Sequence, residues 1–156
     1  MTAPIREPAM YKHILLPTDG SPLSARAVAD GVALAKAVGA RVTALFVAPP
    51  ATPLVFEHFL PVRYMTPDDH ADLIAREAAH ALGAVEKAAK AAGVACETMQ
   101  VTGDFPADAI VDAAAKHKCD LIVMASHGRK GISAMLLGSE TQKVLLHSKV
   151  PVLVHR

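Results

Sequence analysis

Leu121-Ile122-Val123-Met124-Ala125 runs into Ser126-His127-Gly128-Arg129-Lys130-Gly131, then Ile132 to Leu137, then Gly138-Ser139-Glu140-Thr141. Five consecutive apolar residues make a short run of the kind found in a buried strand. The chain then turns polar and glycine-bearing, and a helical pattern resumes at Ser139. A strand, a glycine loop and a helix start place backbone N–H groups and the positive end of a helix around an anion. Gly128, Gly131 and Gly138 have no side chain to hold phosphate oxygens off the backbone. Ser139 stands where a residue caps the helix and offers its hydroxyl to the same anion.

Outward from this stretch the chain alternates between strand and helix patterns. His13 to Leu16 reads as a first strand ending at Pro17, with Ser21 as N-cap and Pro22 at the first helical position. Leu23, Ala27, Leu34 and Val38 share a helical face, and Gly39 is a C-terminal stop. Arg41 to Val47 suits a second strand. Ala48 to Thr66 holds Pro49, Pro50, Pro53 and Pro61 and reads as a long loop inside one domain. Thr66-Pro67-Asp68-Asp69 starts a second helix, its acidic pair suited to the positive end of the dipole. Ala71, Ala75, Ala78, Leu82, Val85, Ala89 and Ala92 then recur at steps of four and three. A mostly alanine stripe of this length fits close packing on a sheet better than a coiled-coil seam. Gly93 ends that helix, and Cys96 to Val101 alternates as a third strand. Asp104-Phe105-Pro106 opens a third helix to about His117. The fourth strand is Leu121 to Ala125, the fourth helix Ser139 to about His147, and the fifth strand Val150 to Val154.

This order predicts an α/β fold: a single doubly wound domain, a five-stranded parallel sheet with helices on both faces. Such folds bind ligands beyond the carboxyl ends of the strands, where the winding reverses. A chain of 156 residues suits one domain, expected over residues 11–156 behind a loose tail, 1–10. Apolar residues at 52% exclude a disordered chain, and a net charge of +1 gives no basis for a nucleic-acid partner. No apolar run approaches the about 18 residues of a membrane helix, so a cytoplasmic protein without a membrane partner is expected. Cys96 and Cys119 read as two buried, reduced thiols. The eight histidines show no metal-ligand spacing, so no protein-built metal site is expected. No Gly precedes Lys directly, no Gly-x-Gly occurs, and Gly-x-Ser-x-Gly is missing. Those absences exclude a Walker loop, the dinucleotide fingerprint and a nucleophile elbow.

Gly128, the nine residues Arg129 to Leu137, and Gly138-Ser139 resemble the nucleotide-binding loop of the universal stress protein family. ATP-binding members of that family carry Gly-x-x-Gly, nine residues, then Gly-Ser or Gly-Thr; Ala125 stands here at the first glycine, implying a tighter ribose approach. The resemblance runs from Tyr11 to Arg156 and implies strand order 3-2-1-4-5, with the reversal between strands one and four. The loops Pro17 to Ser21 and Ser126 to Ser139 follow those two strands. It implies adenine nucleotide (ATP or AMP) contacts at Pro17, Thr18 and Asp19, and at Val47, whose backbone would recognise adenine. On the second loop it implies Met124, Ala125, Ser126, His127, Gly128, Arg129, Lys130, Gly131, Gly138, Ser139, Glu140 and Thr141. Asp19 has two readings: a carboxylate for the ribose or adenine, or one that bonds its own turn and caps the next helix. Arg129 and Lys130 either neutralise phosphates or lie in a solvated loop, and His127 reads as facing water. A Mg²⁺ held through phosphates fits better than one held by protein ligands. No base stands out for hydrolysis, so nucleotide occupancy is expected to serve a regulatory, stress-adaptive role. The alternatives are a slow ATP hydrolase and a nucleotide-free dimerising module.

Val150-Pro151-Val152-Leu153-Val154 is almost wholly apolar, and Pro151 suits an edge strand. An open apolar edge invites uncontrolled pairing, so a homodimer through Val150 to Val154 is expected, as the resemblance also implies.

Overall fold

The computed structural model describes residues 9–51, 54–57, 60–128 and 136–156. Their elements are β1 (His13–Pro17), α1 (Pro22–Val38), β2 (Arg41–Ala48), β3 (Leu54–Glu57), β4 (Leu60–Tyr64), α2 (Pro67–Ala92), β5 (Cys96–Thr102), α3 (Pro106–Lys116), β6 (Leu121–Ala125), α4 (Ser139–His147) and β7 (Val152–His155). The main sheet has five parallel strands in the order β5-β2-β1-β6-β7. Counted among themselves these strands run 3-2-1-4-5, so the winding reverses between β1 and β6. In place of the expected loop, β3 and β4 form a separate antiparallel pair. Pro53 and Pro61 punctuate that stretch, and both Leu54-Val55-Phe56 and Val62 carry the side chains that favour strands.

The helices start and stop where local chemistry dictates. Ser21 caps α1 by accepting from Ser24 N, and Pro22 follows where its missing N–H costs nothing. Thr66 and Asp69 form a reciprocal capping box at the start of α2. Gly39 and Gly93 close α1 and α2 in left-handed conformations, φ 73° and 70°.

Strand residues alternate between two cores. Ile14, Leu16, Leu121 and Val123 face α1 and α2, whereas Leu15, Ile122 and Met124 face α3 and α4. Gly31 lets α1 lie close on β1: a Cβ there would run into Leu16 Cδ2. On α2 the buried face is Ile74, Ala78, Ala81, Val85 and Ala89. Ala71 and Ala75, expected on that face, are exposed, while Ile74 between them packs with Phe46 and Ala48 of β2; Ala75 lies about 100° round the helix from Ile74. Cys119 is buried but Cys96, on edge strand β5, is only half-buried, and both are free thiols. The last strand is shifted from Val150–Val154 to Val152–His155. Pro151 precedes it, and its carbonyl accepts from Ile122 N at 3.0 Å. Among the described residues no helix is long and apolar enough to cross a membrane.

Candidate functional site

The turn after β1 is built from short polar side chains. Thr18 N donates to Leu45 O on β2 at 2.9 Å. Ser24 Oγ donates to Thr18 Oγ1 at 2.8 Å and lies 3.3 Å from Asp19 N as its acceptor. Asp19 Oδ1 accepts from Ser21 N at 2.9 Å, the local turn bond expected of an Asp at this position. Its other oxygen faces the second loop: a Cβ added to Gly128 would fall 2.6 Å from Asp19 Oδ2. The loops after β1 and β6 therefore meet at Asp19 and Gly128. Ser24 went unnoticed in the sequence, where it reads as a polar residue on a helix. The spacing Ser21-x-x-Ser24, one hydroxyl per turn, was the available signal.

The second loop leaves and returns at one place. Ser126 N donates to His155 O at 2.7 Å, continuing the ladder with β7, and Gly138 N returns to Ser126 O at 2.7 Å. Thr141 Oγ1 lies 3.1 Å from Ala125 O and 3.0 Å from Ser126 O. A Cβ on Gly138 would sit 3.1 Å from both Ser126 O and His127 Cα. Gly138 has φ −59°, so space and not conformational freedom requires glycine here. The N-cap of α4 is Gly138, and Ser139, expected to cap, is the first helical residue because the chain enters the helix one residue earlier.

This makes the start of α4 unlike those of α1 and α2. Among the described residues no side chain caps it. The carboxylate of Glu140 is turned away, accepting from Ala107 N at the start of α3 (2.8 Å) and pairing with Lys143 Nζ (3.0 Å). Among the other expected contacts, Met124 has its side chain in the core under α3 and α4, and Val47 packs on the same core, one residue before β2 ends. Ala125 is buried, pairing in register with His155. Pro17 closes β1 opposite Leu45. His127 is half-buried, its Nδ1 3.2 Å from Ser126 Oγ. Arg129, Lys130 and Gly131 lie outside the described residues. Among the described residues no three His, Cys, Asp or Glu side chains converge to hold a metal.

The amino ends of the strands hold a different polar cluster. Asp120 accepts from Lys12 N (2.9 Å) and His13 N (3.0 Å), bracing the entries to β1 and β6. His13 is buried, its Nε2 2.7 Å from Thr43 Oγ1, while Nδ1 has no hydrogen-bond partner among the described residues. Burial, then Arg41, lowers the His13 pKa below 6.5, against smaller opposing effects of the His117 carbonyl, Glu97 and Asp120. Burial raises the Cys119 thiol to about 11 and also lifts Cys96, so neither is an activated nucleophile.

Comparison with known proteins agrees with this geometry. The universal stress protein family model matches residues 10–156. A universal stress protein of Methanocaldococcus jannaschii is 37% identical over 145 residues, covering 93% of this chain and 82% of that protein. A universal stress protein solved in complex with cAMP is 31% identical, with a TM-score of 0.64 over 94% of this chain and 97% of its own. UspA from Lactobacillus plantarum superimposes with a TM-score of 0.75 at 28% identity, over 96% of this chain and 100% of its own. The chain belongs to the universal stress protein family.

Proposed function

We propose that the crevice between the loops after β1 and β6 binds an adenine nucleotide, ATP or AMP, and that occupancy serves a regulatory role in a cytoplasmic homodimer. The observation that carries this reading is the start of α4: a helix N-terminus with no side-chain cap among the described residues, beside Gly128 and Gly138 at the winding reversal. Backbone N–H groups and the helix dipole there suit a phosphate. The family membership and the cAMP complex of a 31% identical relative support the same ligand class. Pro17, Thr18 and Asp19 flank the crevice from the β1 side, with Val47 at the end of β2 for the base. Arg129, Lys130 and Gly131 enter this proposal on sequence alone. A divalent ion, Mg²⁺, would be held through the phosphates, since it keeps waters and needs few protein ligands.

The partner surface is the edge strand β7, where Leu153 is 42% exposed. Pairing of two such edges about a two-fold would bury it. Light scattering tests this: wild type should weigh as a dimer, and Val152→Asp/Val154→Asp should shift it toward monomer or insolubility.

Asp19 favours a second reading. Its carboxylate already lies against Gly128, as in a module whose crevice is filled by its own side chain. Mass spectrometry of protein denatured directly from purification separates the two. A copurified adenine nucleotide supports the first reading; a protein that neither carries nor takes up one supports the second.

A further inference from the structure

We propose that Glu140 is a positioning residue: its carboxylate bolts the first turn of α4, and with it the returning arm of the glycine loop, to the start of α3. This deepens the nucleotide reading above and rests on it for its affinity readout alone. Helix α3 begins at Pro106, which has no N–H, so Ala107 supplies its outermost donor. The N-cap of α3, Phe105, gives no side-chain cap and is 63% exposed. Glu140 Oε2 fills that role from 33 residues away, at 2.8 Å from Ala107 N. A carboxylate at a helix N-terminus makes a charge-assisted bond favoured by the dipole. Lys143 Nζ takes the other oxygen, Oε1, at 3.0 Å. The neighbours of Glu140 are fixed on the opposite side, Gly138 N on Ser126 O and Thr141 Oγ1 against Ala125 O and Ser126 O. The first turn of α4 is thus held between β6 and α3. With the Glu140 carboxylate engaged on α3, it does not fold back on the N–H groups of its own helix. Acid at the second helical position ordinarily serves its own helix; here it serves another.

The test compares Glu140→Ala, Glu140→Gln and Lys143→Met with wild type. Amide hydrogen exchange reads the positioning without any ligand. Glu140→Ala should speed exchange at Ala107 and at Gly138, whose N–H bonds Ser126 O, by about tenfold, the scale of one charge-assisted hydrogen bond. The central β1 and β6 amides should be unchanged. Calorimetry with AMP should show about tenfold weaker binding for Glu140→Ala on the same scale. Glu140→Gln keeps an acceptor for Ala107 N and should recover most of both effects. Lys143→Met removes only an exposed pair and should stay within about threefold of wild type. Faster exchange at Ala107 with Gly138 unchanged would overturn the proposal, leaving Glu140 as a cap of α3 and nothing more. An unchanged AMP affinity in Glu140→Ala would overturn it equally. A wild type that binds no nucleotide would sink the functional reading, while the exchange experiment still decides the role of Glu140.

Discussion

The two ends of the central sheet are built from similar materials and finished differently. At the amino ends, buried or half-buried side chains tie the strands: Asp120 takes two backbone N–H groups and His13 pairs with Thr43. At the carboxyl ends the turn after β1 is tied by its own short side chains, whereas the loop after β6 is closed by backbone bonds through Ser126, Gly138 and His155. The start of α4 there has no side-chain cap among the described residues, and two glycines are pressed against neighbours. A protein gains stability by satisfying buried polar groups, and it gains a binding site by leaving preorganised donors for a ligand. The amino end follows the first course for Asp120, His13 Nε2 and Thr43 but leaves His13 Nδ1 unpartnered among the described residues, and under the proposed function the carboxyl end follows the second. Changes at the two ends should therefore separate stability from binding.

The largest effect is expected at Gly138. A Cβ there would already stand 3.1 Å from Ser126 O and His127 Cα, tighter than van der Waals contact, and valine adds two methyl groups, so Gly138→Val should reduce nucleotide affinity by more than about a hundredfold. Calorimetry reads this directly, and a variant that binds as well as wild type would break the contrast between the ends. Asp120→Ala should do the converse. Loss of the acceptor for Lys12 N and His13 N should lower stability by about 2 kcal/mol in chemical denaturation, with affinity for nucleotide unchanged.

A pH titration of stability sharpens the amino-end half. His13 stays neutral in the fold below the pH at which the unfolded chain takes up its proton, near 6.5. The unfolded state then binds more protons, so stability falls as pH drops from 6.5 toward the lowered folded value, and is constant in this term above 6.5. Denaturation midpoints of wild type and His13→Gln, measured from pH 8 to pH 5, should diverge only on the acid side. Parallel curves would show that His13 carries none of the acid sensitivity. The smallest effect is expected for Ala125→Gly, which completes the glycine pattern at a buried strand end. Affinity should be equal or better, and a large loss would reveal contacts by the Ala125 methyl group.

Most of the framework was legible in the sequence because it is set locally. Ser21-Pro22 and Thr66-Pro67 announce helix starts, Gly39 and Gly93 announce stops, and the apolar run 121–125 is a strand from its composition alone. What escaped depends on tertiary contact. The β3–β4 pair was hidden among prolines that argue against strands one residue at a time. The helix entry at Gly138 differs by one residue from the expected cap at Ser139, a distinction set by backbone contact with Ser126 and not by residue type. Glu140 reads in sequence as part of a phosphate loop, yet its partner is Ala107. Gly31 looks like a flaw in a helix until Leu16 is seen against it.

The central claim is that the carboxyl end binds an adenine nucleotide without turning it over quickly. Titration of wild type with ATP in the presence of Mg²⁺, followed by chromatography of the nucleotide after mixing, tests both halves in one sample. Binding in about the micromolar range with turnover well below about 1 s⁻¹ is the predicted result. No binding of ATP or AMP at millimolar concentration, or hydrolysis faster than that rate, would contradict it.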